Sequence, residues 1–264
     1  MRHPYLSPAA PRVLAHRGLV TADAASHGVV ENSFAAVAEA HAAGAAYVES
    51  DCHVSADGTV VLFHDDDLRR VAGDPRQIAD VRLHELEELM ADRGGLITLA
   101  QALEAFPELR FNLDVKTAAA ADGVGRLVAP HAERVLVTSF SDDRRLEALA
   151  AAHAAGAAQR PATSPGQATV VRLLAARALR RSGRVGALLD GLDALQVPER
   201  QGPLRIVTRG LVRDAHAHGV EVHVWTVNAD DDMERLLDLG VDGLVTDRAD
   251  AALRKVNTRG TPAV

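Results

Sequence analysis

Short apolar runs alternate with longer amphipathic stretches almost throughout this chain. The apolar runs Val13–His16, Ala46–Val54, Thr59–His64, Arg110–Val115, Arg134–Phe140, Ala157–Ala162, Ala194–Val197, Val220–Val227 and Val241–Thr246 read as strands. The stretches Ser33–Ala43, Leu83–Met90, Leu99–Phe106, Gly123–His131, Asp142–His153, Ala168–Arg181, Thr208–His218 and Asp231–Leu239 read as helices. Asn32 or Ser33 caps the first of them and Gly44 stops it. Strand and helix taking turns in this way predict parallel α/β architecture.

Nine strands are one more than a (β/α)8 barrel holds. The turn Ser55-Ala56-Asp57-Gly58 is too short for a parallel crossover, so Ala46–Val54 and Thr59–His64 should pair antiparallel. Setting that returning arm aside leaves eight parallel strands, the TIM-barrel number. The expected molecule is a single domain over residues 1–264, with a hairpin and helical insertion at about 55–96 lying over the C-terminal mouth. The returning arm would set His64 beside Glu49 and Asp51.

Composition narrows the setting. Hydrophobic residues make up 47% of the 264, but aromatics only 3%, so Ala, Val and Leu must fill the core. A net charge of −7 argues against general nucleic-acid binding. A lone cysteine, Cys52, rules out an internal disulfide and fits a reducing compartment; alternation turns it away from Glu49 and Asp51, into the core. Met1 to Arg12 carries three prolines and no apolar leader core, and no run approaches the roughly 18 apolar residues of a membrane span. A cytoplasmic location follows as the expectation.

Candidate chemistry gathers at strand ends. Alternation puts Glu49, Asp51 and His53 on one face, and Asn112, Asp114 and Lys116 on one face of another strand. Glu49, Asp51 and Asp114 form an all-oxygen set suited to one hard divalent cation, Mg²⁺ or Ca²⁺, with Mn²⁺ also open. His16 and His64 are the proton-transfer candidates, since histidine titrates nearest neutrality. Arg17 and Lys116 supply cations for phosphate oxygens. Lys116 stands out because 27 of the 29 basic residues are arginine. Trp225 shares a face with Glu221 and His223, which suits a pocket wall or a contact to a quaternary ammonium group. Five arginines and no acid between Val170 and Arg184 allow transient contact with an anionic membrane, although an outer barrel helix with a charged face is the plainer reading.

These pieces resemble the glycerophosphodiester phosphodiesterase family of TIM-barrel enzymes. The matching text is His16-Arg17-Gly18, Glu31-Asn32-Ser33, Glu49-Ser50-Asp51, Asp57-Gly58, His64-Asp65, Asp114-Val115-Lys116, Ser139-Phe140, Val224-Trp225-Thr226-Val227-Asn228 and Gly243-Leu244-Val245-Thr246-Asp247, in family order. The resemblance implies His16 and His64 as acid and base, Glu49, Asp51 and Asp114 as metal ligands, Arg17 and Lys116 as phosphate contacts, and Trp225 as a substrate wall. It adds Glu31 and Asn32, which would brace the site or bind phosphate. The implied reaction cleaves small glycerophosphodiesters to glycerol 3-phosphate and an alcohol. Which histidine is the acid stays open, with His64 favoured. The family more often carries Glu where Asp114 stands, one methylene longer. Rival readings are a phospholipase D-like enzyme acting on lysophospholipid or sphingomyelin, and a non-catalytic binder of phosphorylated ligands. Head group, oligomeric state and the formation of a cyclic phosphate are not legible.

Overall fold

The computed structural model describes residues 2–7 and 9–260. Met1 and Pro8, both in the N-terminal stretch read above as lacking a leader, lie outside the described residues. Strands among the described residues are β1 (Arg12–His16), β2 (Tyr47–Val54), β3 (Val60–Leu62), β4 (Arg110–Val115), β5 (Val135–Thr138), β6 (Ala162–Thr163), β7 (Ala194–Pro198), β8 (Arg200–Gln201), β9 (Leu204–Arg205), β10 (Glu221–Trp225) and β11 (Gly243–Thr246). Eight of them follow the order β6-β5-β4-β2-β1-β11-β10-β7, every pairing parallel. The two ends of that order meet where the Asp193 amide donates to the Thr163 carbonyl at 3.0 Å. The Asp193 carboxylate takes the Thr163 amide in return, at 2.8 Å. The result is a TIM barrel ringed by helices, with β3 as the antiparallel arm on β2.

Two apolar layers hold it. Between strands and helices lies a core of small aliphatics, with Val48, Leu113, Val137, Val222 and Leu244 fully buried. Inside the barrel base, Leu14, Tyr47, Leu136, Ala162, Ala194 and Val245 pack against Tyr5 and Leu6, which the N-terminal turn Pro4–Leu6 carries across the opening. Beside this plug Arg12 is 2% exposed and donates to both oxygens of Glu221, at 2.7 and 2.8 Å. Such pairing offsets part of the desolvation cost that burial places on the guanidinium.

The segment after β2 turns at Ser55–Gly58 and returns as β3, as its length demanded. Beyond it, Val61, Phe63, Leu68, Ile78, Val81, Leu86 and Met90 form a third apolar cluster of their own. The Phe63 amide donates to the Asp51 carbonyl at 2.9 Å, tying the end of the arm to β2 one residue before His64.

Several elements differ from expectation. The fifth barrel strand is not Ala157–Ala162 but the two residues Ala162–Thr163, because Pro161 offers no amide to a ladder. The helix expected at Gly123–His131 spans Ala118–Val128, with both glycines inside it. The exposed hairpin β8–β9, the helix Ser182–Leu189 and the C-terminal helix Ala249–Gly260 were not anticipated.

Candidate active site

Register builds the site. Parallel pairing places His16 opposite Glu49, Glu49 opposite Asn112, and Asp51 opposite Asp114. Side chains from three adjacent strands therefore meet at the C-terminal mouth, where catalytic groups of such barrels sit. They line a cavity of about 280 Å³ with His64, Lys116, Trp225 and Gln196 among its walls.

The turn after β1 is the tightest part of the wall. Gly18 has φ +89°, and a Cβ there would lie 2.6 Å from the Ala36 carbonyl carbon, so only glycine fits. Arg17 and Asn32 hold left-handed backbones at φ 58° and 55°. Such positions cost on the order of 1–3 kcal/mol for residues with a Cβ. Here they are held by two backbone bonds of 2.8 Å each, Arg17 amide to Glu49 carbonyl and Asn32 amide to Arg17 carbonyl. The outcome is to aim Arg17 at Asp51, with Nε 3.3 Å from Oδ2.

Three buried carboxylates face one ammonium. Lys116 Nζ stands 2.9 Å from Asp51 Oδ1 and 3.1 Å from Asp114 Oδ2. Burial pushes the Glu49 carboxyl well above its ordinary range, and Asp51 and Asp114 push the same way. Asp114 is raised too, chiefly by burial, with Lys116 pulling against it. Asp51 is buried as well, but Lys116 and Arg17 overcome that and hold its carboxyl below normal. Lys116 is likewise disfavoured by burial, yet Asp51 and Asp114 raise it.

Does this set fit a cation? Its chemistry does: three carboxylates, with Asp114 Oδ1 buried and without a hydrogen-bond partner. Among the described residues no three acids, cysteines or histidines are already grouped closely enough to enclose an ion. The Lys116 ammonium stands between two of the three.

Each histidine has its own aspartate. His16 Nδ1 is 2.6 Å from Asp247 Oδ1, and its Nε2 lies 3.9 Å from Glu49. Asp247 follows β11 and takes a 2.6 Å bond from Asn228 Nδ2. The His16 bond, more than any other influence, holds the Asp247 carboxyl low. His64 Nδ1 is 2.6 Å from Asp65 Oδ1, whose other oxygen accepts from Arg70 Nε at 2.6 Å. Although partial burial raises it, Asp65 is lowered overall by the hydrogen bonds from Arg70 and His64. His53, on the same face as Asp51, supports His64 from below, its Nε2 3.2 Å from the His64 carbonyl.

Glu31 accepts from Arg17 Nη1 at 2.5 Å and Arg70 Nη2 at 2.8 Å. Asn32 donates to Asp51 Oδ2 at 3.0 Å and accepts from Ser50. Both sit behind the cavity wall, engaged with residues that face it. Trp225 stands at the rim with its ring edge-on to Phe140, centroids 5.8 Å apart. Asp247, Asn228, Arg70 and Gln196 were given no role from sequence. Asp65 enters from sequence only as part of the His64-Asp65 match. The signal for the aspartates was present, since each directly follows or closes a motif strand.

A TIM barrel with paired histidines, convergent carboxylates and two cations at its C-terminal mouth defines a phosphoryl-transfer class of site. The glycerophosphoryl diester phosphodiesterase family model matches residues 16–251, and the chain belongs to that family. It is 34% identical over 251 residues to a Mycobacterium tuberculosis protein named "Probable glycerophosphodiester phosphodiesterase 2", covering 94% of this chain and 91% of that one. The Thermotoga maritima glycerophosphodiester phosphodiesterase structure superposes with a TM-score of 0.68 at 25% identity, over 92% and 97% of the two chains. An Oleispira antarctica phosphodiesterase, solved with the product sn-glycerol-3-phosphate, shares the fold at a TM-score of 0.66 and 22% identity, over 94% and 97%.

Proposed function

We propose that this chain hydrolyses glycerophosphodiesters to glycerol 3-phosphate and an alcohol, with His16 and His64 as its acid/base pair. One observation carries the reading: two histidines face one cavity, each with Nδ1 2.6 Å from an aspartate, beside Arg17 and Lys116. An aspartate on Nδ1 fixes the tautomer and leaves Nε2 for the substrate. Family membership and the product complex of the Oleispira relative support the same substrate class.

In this reaction one histidine takes the proton of the attacking hydroxyl, from water or from the substrate's own glycerol; in the second case the cyclic phosphate so formed is opened by water in a further step to give glycerol 3-phosphate. The hydroxyl oxygen bonds phosphorus, the bond to the alcohol oxygen breaks, and the other histidine protonates that oxygen. Arg17 and Lys116 neutralise the non-bridging oxygens as charge builds there. Glu31 and Asn32 brace the site, holding Arg17 and Asp51. Glu49, Asp51 and Asp114 would hold one divalent cation, Mg²⁺, Ca²⁺ or Mn²⁺, which when bound polarises the phosphate and lowers the pKa of a hydroxyl. The whole of 1–264 acts as one domain in this proposal, in the cytoplasm. Among the described residues no helix is long and apolar enough to cross a membrane.

Release of glycerol 3-phosphate, followed with Mg²⁺, Ca²⁺ and Mn²⁺ in turn, tests the proposal. His16→Ala and His64→Ala should each abolish it, and activity surviving both changes would refute the assignment. A second reading has one specific support. Phe140 and Val171 are 57% and 58% exposed and line the cavity beside Val170, Leu174 and Ile206. That apolar wall suits the chain of a lysophospholipid. Turnover of lysophospholipid micelles above that of water-soluble diesters would favour it.

A further inference from the structure

The barrel floor carries a polar chain that the proposed chemistry leaves unused. Glu221 on β10 accepts from Arg12 and lies 2.9 Å from His223 Nε2. His223 Nδ1 is 3.3 Å from the Gln196 side-chain amide nitrogen, which also lies 2.8 Å from Asn112 Oδ1. Gln196 and Asn112 both line the cavity, with Asn112 level with Glu49 and one pleat below Asp114.

Hydrogen-bond logic fixes the direction of this chain. A nitrogen 2.9 Å from a carboxylate carries the proton, so His223 Nε2 is the donor. His223 is fully buried, and burial, reinforced by Arg12, holds its pKa down to about 3. The ring therefore stays neutral and Nδ1 is an acceptor. Its partner on Gln196 must be the NH₂ group. That group's second hydrogen goes to Asn112, whose facing atom must then be the carbonyl oxygen. Both amides are thereby set: Gln196 keeps Oε1 in reserve and Asn112 keeps its NH₂.

We propose that Asn112 and Gln196 form a hydroxyl-recognition pair at the floor of the cavity, one donor and one acceptor held ready for an alcohol group of the substrate's glycerol. A hydroxyl both donates and accepts, so the pair complements it. The inference rests on the glycerophosphodiester reading above and adds the residues that choose the glycerol side. Neither residue needs to move a proton, and both are specificity residues.

The test compares a glycerophosphodiester with its two deoxy analogues, the propane-1,2-diol and propane-1,3-diol diesters of the same alcohol. The wild-type chain should show kcat/KM lower by about 30-fold for at least one analogue, because a missing hydroxyl leaves polar floor atoms unpaired. In Gln196→Leu the gap should shrink to about threefold or less, through loss on the parent diester. A merely structural role would depress parent and analogue alike and preserve the gap, which overturns the proposal. So does a wild-type chain that shows no gap, a result that needs no variant to fold; Gln196→Met serves should the leucine form not fold. Failure to release glycerol 3-phosphate from the parent with any divalent ion would instead strike the underlying function.

Discussion

At the scale of single residues, the two aspartates behind the histidines decide what the rings can do. With Nδ1 committed to Asp247 or Asp65 at 2.6 Å, each ring presents Nε2 in a set tautomer. Asp247→Asn would leave one oxygen for the two donors His16 and Asn228, and an NH₂ turned to Nδ1 would admit the wrong tautomer. We expect kcat to fall on the order of 10²-fold or more with the melting temperature little changed; wild-type kcat in a steady-state assay would show that Asp247 does not orient the ring. His223 sets a pH dependence instead. Its folded pKa of about 3 lies below the ordinary value of 6.5. Between those values the unfolded chain binds a proton that the folded chain refuses. Its contribution is thus intact above pH 6.5 and drains away as pH falls toward 3. His223→Gln should flatten the loss of urea midpoint between roughly pH 6.5 and 4, and a slope equal to wild type would mean that other groups carry it. Residues that bear chemistry on strand ends were legible because alternation alone assigns their face. The pairings of Asp247 with His16, Asn228 with Asp247 and Arg12 with Glu221 were not, since the partners lie 231, 19 and 209 positions apart.

Helices and strands show where propensity yields to packing. Gly123 and Gly125 made Gly123–His131 look like a helix beginning at a glycine, whereas they lie within Ala118–Val128. Gly125 is there because the helix Asp142–Ala154 crosses it: an added Cβ would stand 2.3 Å from the Ala148 carbonyl oxygen and 2.5 Å from Ala151 Cβ. Alanine gains about 1 kcal/mol of helix propensity over glycine. Forcing backbone apart in a close-packed interface costs about 1–3 kcal/mol. The clash should win, so Gly125→Ala is expected to lower stability by about 1 kcal/mol or more, or roughly 2–4 °C per kcal/mol in a chain this long. A calorimetric Tm at or above wild type would mean that the two helices can part at little cost. The same competition explains other misreadings. The β8–β9 hairpin has no buried residue and so no alternation to detect. In Ala249–Gly260 alanines carry much of the inward face, too weak a pattern to announce a helix. The returning arm β3 was legible because a short turn admits only an antiparallel partner.

For the molecule as a whole, the eight-strand count and the site it assembles are two sides of one arrangement. A barrel closes only if strands of distant sequence become neighbours, as β1 and β11 do, while the parallel register of β2 and β4 gathers three acids near one lysine. That clustering stores unfavourable charge: burial and the neighbouring acids push Glu49 up, and Asp114 Oδ1 is left without a partner. Sequence showed which acids would converge, but not that Lys116 would stand between Asp51 and Asp114, because side-chain reach is settled only in three dimensions. A divalent cation bound by these carboxylates would relieve the repulsion in the folded chain alone, and so should stabilise it by mass action. At a concentration about 100 times its dissociation constant the gain is about 2.7 kcal/mol. That corresponds to a Tm rise of roughly 5–10 °C for a chain this long. Scans in EDTA and in excess Mg²⁺, Ca²⁺ or Mn²⁺ should show this rise with at least one ion. Asp114→Asn should lose more than half of it while raising Tm in EDTA, since the change removes a carboxylate that is buried among like charges. An equal rise in Asp114→Asn would place the ion elsewhere, and no rise with any of the three would remove the metal from these carboxylates.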